Sequence, residues 1–148
     1  MAHAPRLVYG KLAPASFKAL LELTSTVYEG SLSRTLVDLV FLRVSQINGC
    51  GYCIDLHYRD LAERGETPRR VNAVAGWRES PFFDDKERAA LAFAELVTSI
   101  PQRDPDDGAY AEVRRHLDEA EIAQLGFAVA TMSAWNRLNI AFRTPVAA

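Results

Sequence analysis

Every long apolar segment of this chain repeats with the period of a helix, and none alternates apolar with polar residues over the length of a strand. Pro14 to Tyr28 carries Phe17, Leu20, Leu21, Leu23 and Val27 and ends at Gly30. Ser33 is placed to cap a second helix bearing Leu36, Val37, Val40, Phe41 and Val44, which stops near Asn48-Gly49. A third begins around Cys50 and runs to Arg64, with Gly65 as its C-terminal stop. Thr67-Pro68 reads as an N-cap followed by proline at the first helical position, opening a short helix to about Ala75. Asp84 or Asp85 starts another through Val97, Asp106 to His116 is short and amphipathic, and Glu119 to Ala141 is long. The expectation is an all-α chain, one domain spanning residues 1–148. The last helix is nearly apolar all round between Leu125 and Met132, which calls for burial on more than one side. It is expected to be the central helix of the bundle or to meet a second subunit.

Composition narrows the functional classes. The chain has 148 residues and a formal net charge of −2, with acidic and basic residues interspersed. No basic block suggests nucleic acid, and no polybasic amphipathic helix suggests a membrane surface. The longest apolar runs, such as Leu39-Val40-Phe41-Leu42, are far too short to span a bilayer. Met1-Ala2-His3-Ala4-Pro5-Arg6 lacks the apolar core of a signal peptide, so a cytoplasmic location is expected. A permanent structural disulfide is uncommon there, and a Cys-x-x-Cys pair is more often catalytic or metal-binding.

Both cysteines of the chain lie in Cys50-Gly51-Tyr52-Cys53-Ile54-Asp55-Leu56-His57. At about 100° per residue, a helix starting at Cys50 puts Cys53 about 60° and His57 about 20° behind it, on one narrow stripe. Tyr52 points away from that stripe, as packing or as substrate wall. The first turn of a helix favours an anion, and a thiolate there has a lowered pKa. A thiolate attacks a peroxide oxygen to give a sulfenic acid, and a neighbouring thiol condenses with it to a disulfide. An external dithiol must then reduce that disulfide, which implies a protein partner. His57 is placed to take the thiol proton or to donate one to the departing oxygen.

Zinc is the competing chemistry. Cys50, Cys53 and His57 supply three ligand types, with Asp38 or water as a fourth. Structural zinc sites more often have a second ligand pair elsewhere; the chain has no further cysteine, and His3 and His116 are far off in sequence. The expectation is therefore a site without metal or other cofactor.

The run Leu36-Val37-Asp38-Leu39-Val40-Phe41-Leu42-Arg43-Val44-Ser45-Gln46-Ile47-Asn48-Gly49-Cys50-Gly51-Tyr52-Cys53-Ile54-Asp55-Leu56-His57 resembles the core of the AhpD-like alkylhydroperoxidases of the carboxymuconolactone decarboxylase superfamily. Ser133-Ala134-Trp135-Asn136-Arg137-Leu138 looks like the Trp-Asn-Arg segment of the same group. The resemblance implies an all-helical homo-oligomer, a trimer or a hexamer built from dimers. It implies a peroxidatic role for Cys53, a resolving role for Cys50 and a proton relay through His57. The family's relay also uses a glutamate twelve residues before the first cysteine; here that position holds Asp38. A second relay histidine between the cysteines is replaced by Tyr52. The decarboxylase branch typically lacks paired cysteines, so the implied activity is reduction of a hydroperoxide. Trp135 is expected to pack in the core and Arg137 to make a salt bridge or interface contact, with Asn136 or Arg137 beside the dithiol as the alternative. Two other readings keep the same cysteines: a dithiol–disulfide carrier or sensor without peroxidase turnover, and a structural oligomer with a vestigial dithiol.

Overall fold

A computed structural model describes residues 4–146. Among these the chain is helical throughout, with no strand: α1 (Tyr9–Leu12), α2 (Pro14–Tyr28), α3 (Arg34–Asn48), α4 (Gly51–Glu63), α5 (Pro68–Asn72), a 3₁₀ segment (Ala73–Glu79), α6 (Asp85–Thr98), α7 (Asp107–Val113) and α8 (Glu119–Phe142). The all-α expectation holds, and the elements start where side chains can satisfy free backbone N–H groups. Ser33 accepts from Leu36 N–H, Thr67 from Arg70 N–H and Asp106 from Ala109 N–H. Asp84 with Glu87, and Asp118 with Glu121, form reciprocal capping boxes at the starts of α6 and α8.

Three elements differ from the sequence expectation, the first being α7, which stops at Val113, short of His116. The helix opening at Thr67-Pro68 ends at Asn72, and a 3₁₀ segment, kinked at Gly76, carries the chain on to Glu79. The four-residue α1 has no apolar repeat to announce it; a single turn is shorter than the helical period can reveal.

The centre of the bundle is α3, not α8. From Leu36 to Leu42 every α3 residue is buried, because the helix lies among α4, α6 and α8. Its faces feed two apolar clusters. Val37, Val40, Phe41 and Val44 join Val27, Cys50, Cys53, Leu125 and Met132, while Leu39 and Leu42 join Leu61, Trp77 and Leu91. The last helix buries Ile122, Leu125, Val129 and Met132 against that centre but leaves Phe127 58% and Ile140 46% exposed. Its all-round apolarity is thus only half used within one chain.

The connection from α3 to α4 consists of Gly49 and Cys50. Gly49 has φ +73°, the left-handed conformation that ends a helix and favours glycine. Cys50 N–H bonds back to Ser45 C=O at 3.0 Å, which closes the turn. This tight reversal lays α4 along α3, so Asp38 on one helix faces residues two turns into the other. Gly65, at φ +89°, ends α4 in the same way.

Candidate active site

Cys50 is not the first residue of α4 but its N-cap: its backbone is extended and its Sγ accepts from Cys53 N–H at 3.3 Å. The free N–H and the positive end of the helix dipole therefore act first on the Cys50 sulfur. Cys50 and Cys53 are joined as a disulfide with Cα atoms 5.3 Å apart, and both are buried. The sequence spacing thus brings the two thiols into bonding contact.

The two sulfurs have different surroundings. Cys53 borders a cavity of about 580 Å³ whose walls are largely apolar: Leu7, Val8, Phe17, Leu21, Phe41, Leu56, Met132 and Trp135 contribute. Cys50 instead borders a separate recess with Gly49, Ile140 and Arg143. Tyr52 borders both spaces and also packs against the apolar core, so both positions anticipated for it are present. Asn139, from α8, donates through Nδ2 to Cys53 Sγ at 3.3 Å, and its Oδ1 accepts from Tyr9 O–H at 2.9 Å.

His57 and Asp60 open onto the same cavity as Cys53. The His57 ring is buried, edge-on to Phe41, with its centroid 5.1 Å from that of the phenyl ring. Its Nδ1 lies 3.2 Å from Asp60 Oδ2 and 3.7 Å from Asp38 Oδ1. Neither contact is aligned as a hydrogen bond, so the attraction is one of charge. Asp38 is fully buried, and both its oxygens are taken: Oδ1 accepts from Tyr28 O–H at 2.5 Å and Oδ2 from Arg64 Nε at 2.6 Å.

These contacts decide the protonation states. Burial opposes ionisation of Asp38, but His57, the Tyr28 hydroxyl and the Arg64 guanidinium outweigh it and hold the carboxyl below its ordinary range. Burial likewise opposes charge on His57, yet the two carboxylates raise its pKa above the ordinary value. Burial, followed by the bond to Asp38, pushes the Tyr28 phenol up, so it remains a donor. Both shifts favour imidazolium against carboxylate. That favours the proton-donating of the two roles open to His57.

The donors of Asp38, His57 and Asp60 all lie within 4.8 Å of one another, a spacing a metal ion can use. The pairing of Asp38 with Tyr28 and Arg64 leaves little of its carboxylate to coordinate one. The zinc set considered from sequence is divided differently, with both cysteines in the disulfide.

The Trp135-Asn136-Arg137 segment separates into distinct parts. Trp135 stands on the cavity wall, its Nε1 donating to Thr24 Oγ1 at 2.9 Å and its ring edge-on to Phe17. Asn136 is fully buried; it donates to Ser45 Oγ and accepts from Asn48 Nδ2, both at 3.0 Å, and so ties α8 to α3 beneath the Gly49 turn. Arg137 is exposed and bonds to Ser133 C=O of its own helix. The residue of α8 that reaches the dithiol is Asn139, three positions after Asn136 and one turn after Trp135.

The carboxymuconolactone decarboxylase family profile matches residues 14–96, a span that contains Asp38, Cys50, Cys53 and His57. The chain belongs to the carboxymuconolactone decarboxylase family. Within it the likeness is to AhpD. The uncharacterized protein YdfG of Bacillus subtilis is 36% identical over 136 residues, 92% of this chain and 92% of the relative. Alkyl hydroperoxide reductase AhpD of Caulobacter vibrioides is 40% identical over 63 residues, 40% of this chain and 34% of that protein. The crystal structure of ATU0492 from Agrobacterium tumefaciens, a protein of unknown function assigned provisionally to AhpD antioxidant defence, superposes with a TM-score of 0.94. It covers 98% of this chain and 99% of that one at 32% identity. The fold is thus AhpD-like along nearly its whole length.

Proposed function

We propose that the protein reduces organic hydroperoxides through its Cys50–Cys53 dithiol. One observation carries this reading: Cys53, half of a disulfide at the start of α4, borders the large apolar cavity that His57 also lines. The AhpD-like family membership supports it.

In the cycle, the Cys53 thiolate attacks the terminal peroxide oxygen. The O–O bond breaks, Cys53 becomes a sulfenic acid, and the departing alkoxide takes a proton from His57 to leave as an alcohol. The Cys50 thiol then displaces the sulfenic hydroxyl, releasing water and forming the disulfide. An external dithiol, expected to be a reductant protein in the cytoplasm, reduces that disulfide and restores both thiols. The net change is one hydroperoxide and one dithiol converted to one alcohol, one water and one disulfide. Asp38 acts through His57, holding its charge, with Tyr28 and Arg64 fixing the carboxylate in turn. The chain supplies this chemistry with its own sulfur and proton carriers. The exposed apolar residues Phe127 and Ile140 on α8 suit contact with a further copy of the chain, as in a trimer or hexamer.

Steady-state consumption of cumene hydroperoxide with a dithiol reductant tests the reading. Turnover that disappears in Cys53→Ser and in Cys50→Ser is expected. Negligible consumption by the parent, with rapid disulfide exchange towards a dithiol protein, would instead establish a dithiol carrier.

A further inference from the structure

Resting on the reading of Cys53 as the attacking sulfur, we propose that Asn139 is a catalytic residue: its side-chain amide holds the Cys53 thiolate, and Tyr9 is the positioning residue that fixes which end of the amide faces the sulfur.

The helix N-terminus would ordinarily be credited with stabilising the reactive thiolate, yet the first-turn N–H that contacts a sulfur, that of Cys53 itself, is directed at Cys50. Cys53 needs another donor. No lysine or arginine is among the described residues lining its cavity. The titratable groups there are Tyr9, Tyr28 and Tyr52 with His57 and Asp60. His57 is held towards the two carboxylates through Nδ1. The donor in contact with Cys53 Sγ is Asn139 Nδ2, at 3.3 Å, and this contact is buried.

The orientation of the amide follows from its partners. A disulfide sulfur carries no hydrogen, so only the nitrogen end of the amide complements it. The oxygen end then needs a donor, and Tyr9 O–H supplies one at 2.9 Å. Tyr9 is itself held: its ring packs on Phe17 and Phe142. Arg6, three residues earlier, bonds through its backbone N–H to Phe142 C=O and through its side chain to Ala141 C=O. The amide therefore faces Cys53 before any substrate arrives. When the disulfide opens, the N–H···S contact becomes a charge-assisted one, worth more than its neutral counterpart. The same donor serves twice, since Cys53 is a thiolate both when it attacks and when a reductant displaces it from the disulfide.

The test is a thiol titration, by thiolate absorbance and by alkylation rate against pH, in a Cys50→Ser background where Cys53 is the one remaining cysteine. Asn139→Ala and the similarly sized, uncharged Asn139→Leu should each raise the Cys53 pKa by about one to two units, the shift a hydrogen bond to a charged group gives. Tyr9→Phe, which leaves Asn139 in place, should raise it less and in the same direction. A Cys53 pKa within a few tenths of the background in both Asn139 variants overturns the proposal. An unchanged pKa in Tyr9→Phe overturns the role given to Tyr9 and, if the Asn139 variants fail to fold, the proposal as a whole. The titration uses no hydroperoxide, so it fails or succeeds separately from the proposed activity.

Discussion

Asp38, on α3, and His57, on α4, face each other with Oδ1 and Nδ1 3.7 Å apart, and the two-residue turn at Gly49-Cys50 is what brings them together. Nineteen positions separate them in sequence. Folding α4 back along α3 makes them neighbours and places the dithiol at the hinge end of the same helix pair.

The pair makes stability depend on pH in a defined window. The ordinary value for histidine is 6.5, and that of His57 is raised, so its contribution is fully present below pH 6.5 and is lost as pH climbs through the raised value. The ordinary value for aspartate is 3.8, and that of Asp38 is lowered, so its contribution is present above pH 3.8 and is lost as pH falls through the lowered value. Thermal unfolding of the parent and of His57→Gln should differ most between those limits, and the gap should narrow towards alkaline pH. A gap that widens as pH rises contradicts this protonation assignment.

Asp38 fits its site as an aspartate. The carboxylate is fully buried, and Tyr28 and Arg64 reach it from α2 and from the end of α4. Asp38→Glu should therefore overpack the site and lower stability by about 1–3 kcal/mol, despite restoring the family's residue. Asp38→Ala should cost about 3 kcal/mol, because it strands two cations and a phenol around an empty carboxylate position. Denaturant unfolding of the two variants checks both values, and an Asp38→Glu protein as stable as the parent would show that the site has room.

At Gly49 a substitution acts through the backbone alone. A Cβ there would meet nothing within 4 Å, yet φ is +73°. Gly49→Ala should lower stability by about 1–2 kcal/mol, with Gly49→Asn closer to the parent, because asparagine tolerates the left-handed region better. Urea denaturation distinguishes the two. Equal loss in both would point to something other than backbone conformation.

The cavity predicts selectivity by size. Leu21 stands at its rim, 46% exposed, so a larger side chain there can be accommodated without disturbing the core. Leu21→Trp should raise KM for cumene hydroperoxide about tenfold, the scale of a steric change in an apolar pocket, and leave hydrogen peroxide little affected. Parallel loss with both peroxides would place the substrate elsewhere.

Much of this arrangement is legible in the sequence, and the residues show why the rest is not. Helical spacing places Cys53 and His57 on one face, and Asp60 and Arg64 continue it three and seven positions after His57. The capping residues Ser33, Thr67, Asp84 and Asp106 announce their helices because a cap is a local event. Tyr28 lies ten residues from Asp38, and Tyr9 is 130 residues from Asn139. Such pairings depend on how helices pack, which no local pattern encodes. The choice of α3 over α8 as the central helix has the same origin. Asp38 and Arg43 make α3 look less apolar than α8, but their charges are matched by Arg64 and Glu95, so the helix is buried with them in place.

The assignment of chemistry to Cys53 has a direct measurement. Reduced protein is mixed with cumene hydroperoxide for a brief interval, and the intact mass of the parent and of each single-cysteine variant is recorded. The parent should lose two hydrogens as its disulfide forms, Cys50→Ser should gain one oxygen on Cys53, and Cys53→Ser should be unchanged. An oxygen gained by Cys53→Ser and not by Cys50→Ser would make Cys50 the attacking residue and contradict the mechanism.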